Sequence, residues 1–397
     1  MTKGGFAEST PAAGHWLTPR RLAAYPLIFI ALYLLAGVVW VISAEGLVDP
    51  RGTPLGADFF GFWSVSSLIH DQGWAAPYDF ARLKAAQAAL LGRAAAPFLW
   101  LYPPVGLLLV WPLALLPYGP SFFLWGGAQL ALAWAVLRRR LRHPMALRLL
   151  LAFPAGFLSL ADGQNALLSA SLLGLGLLLL RDRPFLAGLA FAGLSYKPHL
   201  GLLIPLALIA GGHWRAFGGA VTGVLAIVSL SLGIAGTDCW RAYFAEAGFA
   251  RRVLEEGGVD WGKMASVFAA LRLLGVPTAA AWLGQGISAA LAGAAVFRLW
   301  RGARPPGVRG AALAAGTLLA TPFLLDYDLT ILGLGLAWLA ADHQGRIMSR
   351  RLVTLLAVLW CMPLFLRPLG LGLSLPIGPA AAAALLALAW REEFHLS

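Results

Sequence analysis

The chain has 397 residues, of which 59% are hydrophobic and only 12% charged, with a mean hydropathy of +0.75. No soluble domain of this size buries that much apolar surface, so composition excludes the soluble classes and predicts an all-α polytopic membrane protein. The formal charge of +12 arises from 30 Lys and Arg against 18 Asp and Glu, and nearly all the basic residues are arginine. They cluster between apolar runs, in the positive-inside pattern, without the interleaved polar surface of a nucleic-acid site, and nucleic acid is excluded as a partner.

In the first apolar run, 21–44, the stretch from Tyr25 to Ala44 is too long for a signal-peptide core and is expected as a retained first span. About a dozen residues beyond it stands Asp58, followed by Phe59, Phe60, Phe62 and Trp63. The stretches 60–71 and 82–91 carry apolar residues at helical spacing and predict interfacial amphipathic helices. Trp63, Trp74, Tyr78 and Trp100 are the interface aromatics. The run 99–116 contains Pro103, Pro104 and Pro112 and is followed by Pro117. Each proline fixes φ and removes a donor, so this run is expected to dip into the interface and return.

Eleven further runs follow, at 122–137, 147–160, 166–180, 185–194, 200–210, 218–234, 279–299, 311–324, 329–341, 352–366 and 375–390. Several are shorter than the roughly 20 residues of a simple span, and such helices are tolerated only inside protein or along a cavity. With the proline-rich run not crossing, the basic groups fall on one side: Arg20 and Arg21, the cluster from Arg138 to Arg148, Arg181 and Arg183, His213 and Arg215, the arginines of 298–309, Arg346, Arg350, Arg351 and Arg391. That side is cytoplasmic by the positive-inside rule. The expected architecture is a single transmembrane domain over 1–397 with about 12 transmembrane helices and both termini cytoplasmic. A first extracytoplasmic loop spans 45–118, and a second spans 237–277. The opposite face then gathers Asp58, the turn Asp162-Gly163-Gln164-Asn165, the turn Tyr196-Lys197-Pro198-His199, Asp326-Tyr327-Asp328 and Arg367. The two cysteines, Cys239 and Cys361, lie far apart, and the seven histidines include no pair at ligand spacing, so neither a metal nor another cofactor is expected.

The run Asp58-Phe59 with its aromatics, closed by Gly73-Trp74 and Pro77-Tyr78-Asp79, resembles the first-loop signature of glycosyltransferase family 87. Tyr102-Pro103-Pro104, Gly163-Gln164-Asn165 and Lys197-Pro198-His199 follow in the order of that family. The resemblance covers roughly residues 58–328. It implies a GT-C-like fold and a transferase that takes sugar from a polyprenyl-phosphate-linked donor, mannose being the default. It also implies a lipid or glycan acceptor, membrane lipids as surroundings, and an active site on the extracytoplasmic side of the bacterial inner (plasma) membrane. Two departures from the family leave the acceptor open. The loop 237–277 matches no signature, and the chain continues only briefly past Trp390, without a carbohydrate-binding domain.

In the inverting transfer so implied, polyprenyl phosphate is already a good leaving group, so one carboxylate suffices to take the acceptor's proton. Asp58 fits that role, or it caps the following helix. Lys197, between two short apolar helices, needs an anionic partner. The partner is the donor phosphate, or else Asp162 or Asp326. His199 is either a further donor or a structural histidine. Gln164 and Asn165 either bind phosphate or sugar hydroxyls at a helix start or cap that helix. Tyr102 either meets the sugar or anchors the interface. Asp326 and Asp328 either bind sugar or form a salt bridge to Arg367 or Lys197. The competing class is a transporter or lipid flippase, which also uses broken helices at membrane depth.

Overall fold

The structure is a computed structural model and describes residues 16–50, 52–93, 97–344, 346 and 348–395. The expected cytoplasmic termini, residues 1–15 and 396–397, lie outside the described residues, as do 51 and 94–96 of the first loop. Among the described residues the chain is helical, with three isolated β-bridges and no strand. The helices are α1 (Pro19–Ile42), α2 (Ala57–Gln72), α3 (Phe80–Leu91), α4 (Pro104–Val110), α5 (Tyr118–Arg140), α6 (Ala146–Ala152), α7 (Pro154–Ala161), α8 (Ala166–Leu179) and α9 (Pro184–Ala192). They continue as α10 (Ile204–Ala210), α11 (Trp214–Ala245), α12 (Ala247–Glu255), α13 (Val267–Leu273), α14 (Thr278–Trp300), α15 (Pro306–Ala320), α16 (Thr330–Asp342), α17 (Arg350–Leu373) and α18 (Gly378–His395). Five helical segments are long and apolar enough to cross a membrane on their own: α1, α5, α11 with its continuation α12, α14 and α17.

Proline sets several boundaries. Pro103 caps α4 and Pro104 opens it, and the helix stops at Trp111 because Pro112 supplies no donor for the next turn. Pro154 likewise separates α6 from α7.

Burial sorts the helices by position. α15 is made mostly of hydrophobic and small residues, and from Gly310 to Ala320 it is buried between α14, α16 and α18. Its glycines allow that closeness: a Cβ at Gly310 would stand 2.1 Å from the Trp338 ring. α1 is the opposite case, with only Pro26 buried and its leucines and valines exposed along its length. In an apolar solvent that exposure carries no penalty.

The first loop departs in part from the expected pair of one-sided interfacial helices. α3 does bury one face only, through Leu83 and Gln87. α2 instead buries Phe59, Phe60, Phe62, Ser64, Val65, Ser66, Leu68 and Ile69. Its aromatics point in several directions, and α3, α4, α5 and the turn before α8 close around it.

Contacts gather the helix ends into two groups. At one end Arg140 pairs with Asp342, whose other oxygen accepts the Gly307 N–H at 2.7 Å. There too the Trp300 indole donates to the Arg309 carbonyl at 3.0 Å, and Trp16 donates to Thr354 at 2.8 Å. This is the arginine-rich end. The chain turns at the other end bring together Asp58, Asp162, Gln164, Lys197, Asp326 and Arg367.

Candidate active site

The polar end is built from four segments. The first is the start of α2. Gly56, in the left-handed conformation at φ 66°, turns the chain into the helix without a side-chain cap, so Asp58 is a first-turn residue and not the cap. Its neighbour Phe59 donates its backbone N–H to the Asp162 carbonyl at 2.9 Å.

The second segment is the turn between α7 and α8. Gly163 takes φ 67°, and the Gln164 N–H returns to the Ser159 carbonyl at 2.7 Å, closing the end of α7. α5 clamps this turn from behind. The Trp125 indole donates to the Gly163 carbonyl at 2.9 Å, and the Gln129 amide donates to the Gln164 carbonyl at 3.1 Å. Gln164 is thereby fixed with its side chain forward. Its Nε2 donates to Asp58 Oδ2 at 3.2 Å and to the Tyr327 hydroxyl at 3.0 Å, and its Oε1 accepts from the Asn165 N–H at 2.8 Å. The Tyr102 hydroxyl donates to the same Oε1 at 3.4 Å and accepts from Asn165 Nδ2 at 3.1 Å. Asn165 Oδ1 is buried without a donor among the described residues.

The third segment carries Lys197 between two 3₁₀ turns, Gly193–Tyr196 and Pro198–Gly201. Its ammonium is 4% exposed and donates to Asp328 Oδ1 at 2.9 Å. It stands 5.9 Å from the Tyr102 ring centre and 5.5 Å from that of Tyr327. Of the three acids the sequence offered, Asp162, Asp326 and Asp328, the carboxylate partner is Asp328. His199 makes no side-chain hydrogen bond among the described residues. Burial, followed by the nearby Lys197 charge, pushes its imidazole down to about 4, so it is neutral at physiological pH.

The fourth segment is the turn Asp326–Leu329 with Arg367 of α17. Asp328 Oδ2 accepts the Leu325 N–H at 3.2 Å, so this acid both caps the turn and holds Lys197. Arg367 forks between two acids. Its Nη2 reaches Asp162 Oδ2 at 2.9 Å and Asp326 Oδ1 at 3.3 Å, and its Nε pairs with Asp326 Oδ2.

Charge completes the description. Asp58, Asp162, Asp326 and Asp328 face only Lys197 and Arg367 in this cluster, so it holds more acid than base. Burial, and after it the charge of Asp162, lifts the Asp58 carboxyl to about 7, against the opposing pull of the Gln164 hydrogen bond, Arg367 and Lys197. Burial also raises Asp326 despite its arginine. A carboxyl poised near 7 is matched to proton abstraction at neutral pH. No group of three or more His, Cys, Asp and Glu among the described residues could hold a metal.

All eight residues singled out from the sequence lie at this end. Asp58, Gln164, Asn165 and Tyr102 form one hydrogen-bonded set. Lys197 with Asp328, and Asp326 with Arg367, form two ion pairs beside it. Gln129 and Trp125 went unnoticed in the sequence, and Tyr327 stood there only as the residue between two acids, because a tyrosine in a turn and polar residues on an apolar helix carry no signal there of what they touch. The cavity beyond Tyr102 was also unforeseen. It has a volume of about 110 Å³ and is lined by Tyr78, Trp100, Tyr243, Glu246 and Phe249 among others. The Tyr78 hydroxyl donates to the Tyr102 carbonyl at 2.9 Å, and the Trp100 and Tyr102 rings lie 4.8 Å apart, so cavity and site share a wall.

Fold and site together define a helical membrane protein that holds a carboxylate in a hydrogen-bonded polar network at the ends of its helices. The model of glycosyltransferase family 87 matches residues 100–322, more than half of the chain, and the protein belongs to that family. It is therefore a membrane glycosyltransferase, with a sugar donor and an acceptor as its substrates. No curated protein and no solved structure matches the chain. The matched region contains Tyr102, Gln164, Asn165, Lys197 and His199, whereas Asp58, Asp326, Asp328 and Arg367 lie outside it.

Proposed function

We propose that the protein transfers a hexose, with mannose as the default, from a polyprenyl-phosphate-linked donor to a lipid or glycan acceptor, with inversion at the anomeric carbon. The observation that carries this reading is Asp58: a carboxylate held by Gln164, with a proton affinity near neutrality, at the edge of a cluster that also contains two cations. In this scheme Asp58 removes the acceptor hydroxyl's proton as the oxygen attacks the anomeric carbon, and the bond to the donor phosphate breaks. Lys197 meets the charge that develops on the leaving phosphate. Asp328 occupies one of the three N–H bonds of its ammonium, leaving two for phosphate oxygens. Gln164, Asn165 and Tyr102 orient Asp58 and offer hydrogen bonds to sugar hydroxyls. The acceptor side lies toward the loop 237–277, and the cavity walled by Tyr78, Trp100, Tyr243, Glu246 and Phe249 supports that assignment.

Twelve crossings accommodate the chain: α1, α5, α6 with α7, α8, α9, α10, α11, α14, α15, α16, α17 and α18. The segments from α2 to α4 stay on the side of the site. The arginine-rich end then faces the cytoplasm and the site faces outward across a bacterial plasma membrane. Membership of a glycosyltransferase family lends the transporter or flippase alternative no support.

The direct test reconstitutes the protein in proteoliposomes with a synthetic polyprenyl-phosphate mannose. Asp58→Asn is expected to lower transfer by at least about a thousandfold while the protein still folds, the scale of a lost general base with some loss of alignment. Turnover like that of the unsubstituted protein would end the base assignment.

A further inference from the structure

Two separate chains of contacts hold Asp58 in place, and both begin at one side chain, Arg367. The first runs from Arg367 Nη2 to Asp162 Oδ2 at 2.9 Å, and from the Asp162 carbonyl to the Phe59 N–H at 2.9 Å, one residue from Asp58. The second runs from Arg367 to both oxygens of Asp326, and from Asp326 Oδ1 to the Tyr327 N–H at 2.8 Å. It continues from the Tyr327 hydroxyl to Gln164 Nε2 at 3.0 Å, and from that nitrogen to Asp58 Oδ2 at 3.2 Å. The guanidinium is itself anchored. Three residues along α17, Gly370 lies so close to Gly262 that a Cβ there would stand 2.1 Å from the Gly262 carbonyl oxygen. Two prolines, Pro363 and Pro368, bracket Arg367 on the same helix.

We propose that Arg367 is a positioning residue for Asp58, which fixes the carboxylate's place through Asp162 and Asp326 and sets how readily it gives up its proton. This inference rests on the reading of Asp58 as the base. A planar guanidinium bridges two carboxylates at once, whereas a lysine ammonium satisfies one, so charge alone does not replace it. The charged groups facing Asp58 are Asp162 from the α7–α8 turn, Lys197 from the α9–α10 turn and Arg367 from α17, with the Tyr102 and Tyr327 hydroxyls beside it. Removing Arg367 leaves the Asp162 charge uncompensated next to Asp58. That favours the protonated, inactive base and moves the acid limb of the rate profile to higher pH.

The experiment compares Arg367→Gln, Arg367→Lys and Arg367→Gln combined with Asp162→Asn, in the same proteoliposomes. Two quantities are read: the pH profile of transfer, and the pH dependence of carbodiimide modification of Asp58, followed by mass spectrometry. Arg367→Gln is expected to move the midpoint of both curves up by about one pH unit, corresponding to about a tenfold loss of rate below that midpoint. Asp162→Asn is expected to bring the midpoint back toward its original place, and Arg367→Lys to lower kcat with little change in either KM. Profiles that superimpose on those of the unsubstituted protein, or a double variant that shows no return, would overturn the proposal. The modification curve needs no turnover, so a midpoint that moves in a protein with no transferase activity would reject the transfer reading and leave the coupling of Arg367 to Asp58 standing.

Discussion

Asp58 and Lys197 show two different ways of holding an ionisable side chain inside the protein. Asp58 has one hydrogen bond, from a neutral amide, and a negative neighbour in Asp162, so its proton is held up to about pH 7. With an ordinary carboxyl near 4, the folded state binds the extra proton between these two values, and stability falls as pH rises through that window. The active form is the ionised one, so transfer is expected to fall as pH drops through about 7, and a rate profile flat from pH 8 to 5 would contradict it. Asp58→Asn removes the titration and is expected to be at least as stable as the parent at pH 8. Lys197 by contrast has a full counter-charge in Asp328. Lys197→Met strands that acid in a buried position, and the expected cost is about 3–5 kcal/mol. Adding Asp328→Asn, which keeps an acceptor for the Leu325 N–H, is expected to recover most of it. If Lys197 also holds the donor phosphate, the recovered double variant keeps a raised donor KM. A donor KM equal to that of the unsubstituted protein would confine Lys197 to its ion pair.

At the scale of the element, the turn between α7 and α8 does the most to place the chemistry. Gly163 occupies a left-handed conformation, and a Cβ there would lie 2.3 Å from the Phe59 Cβ. Alanine at this position therefore meets both a backbone cost of about 1–2 kcal/mol and a collision with the residue next to Asp58. Gly163→Ala is expected to reduce kcat by tenfold or more through displacement of Asp58 and Gln164 together. A variant with normal turnover and only a lower melting temperature would show that the turn supports the fold and not the geometry of the base. The same reasoning explains why α2 differs from the interfacial helix its pattern suggests. Aromatics on several sides of one helix read as an amphipathic membrane surface element only if nothing else packs on them, and here the turns and neighbouring helices do.

At the scale of the whole molecule, the segregation of arginine-rich and acid-rich ends supports the proposed orientation. A membrane-impermeant maleimide applied to intact cells is expected to label Glu256→Cys and to miss Ala303→Cys, both exposed positions in turns, in a background with Cys361 replaced and Cys239 buried. Labelling of Ala303→Cys under those conditions would invert the proposed topology.

Hydropathy was enough to define a helical membrane protein, and the eight polar residues singled out from motifs and threading lie together at one end of it, because the cost of burying charge in an apolar medium leaves few places for it. The order of short motifs also pointed to the family. What sequence left open was pairing. Lys197 had three candidate acids, and the structure joins it to Asp328, while Arg367 takes Asp162 and Asp326. Those partners are separated by 131, 205 and 41 positions along the chain, and no periodicity or local propensity carries such information. The elevated proton affinity of Asp58 likewise depends on burial and on the Asp162 charge, which come together only when α2, α7, α8 and α17 pack. The chain's composition determined where it resides and which side chains it cannot hide, and only the packed helices decided which of them act on one another.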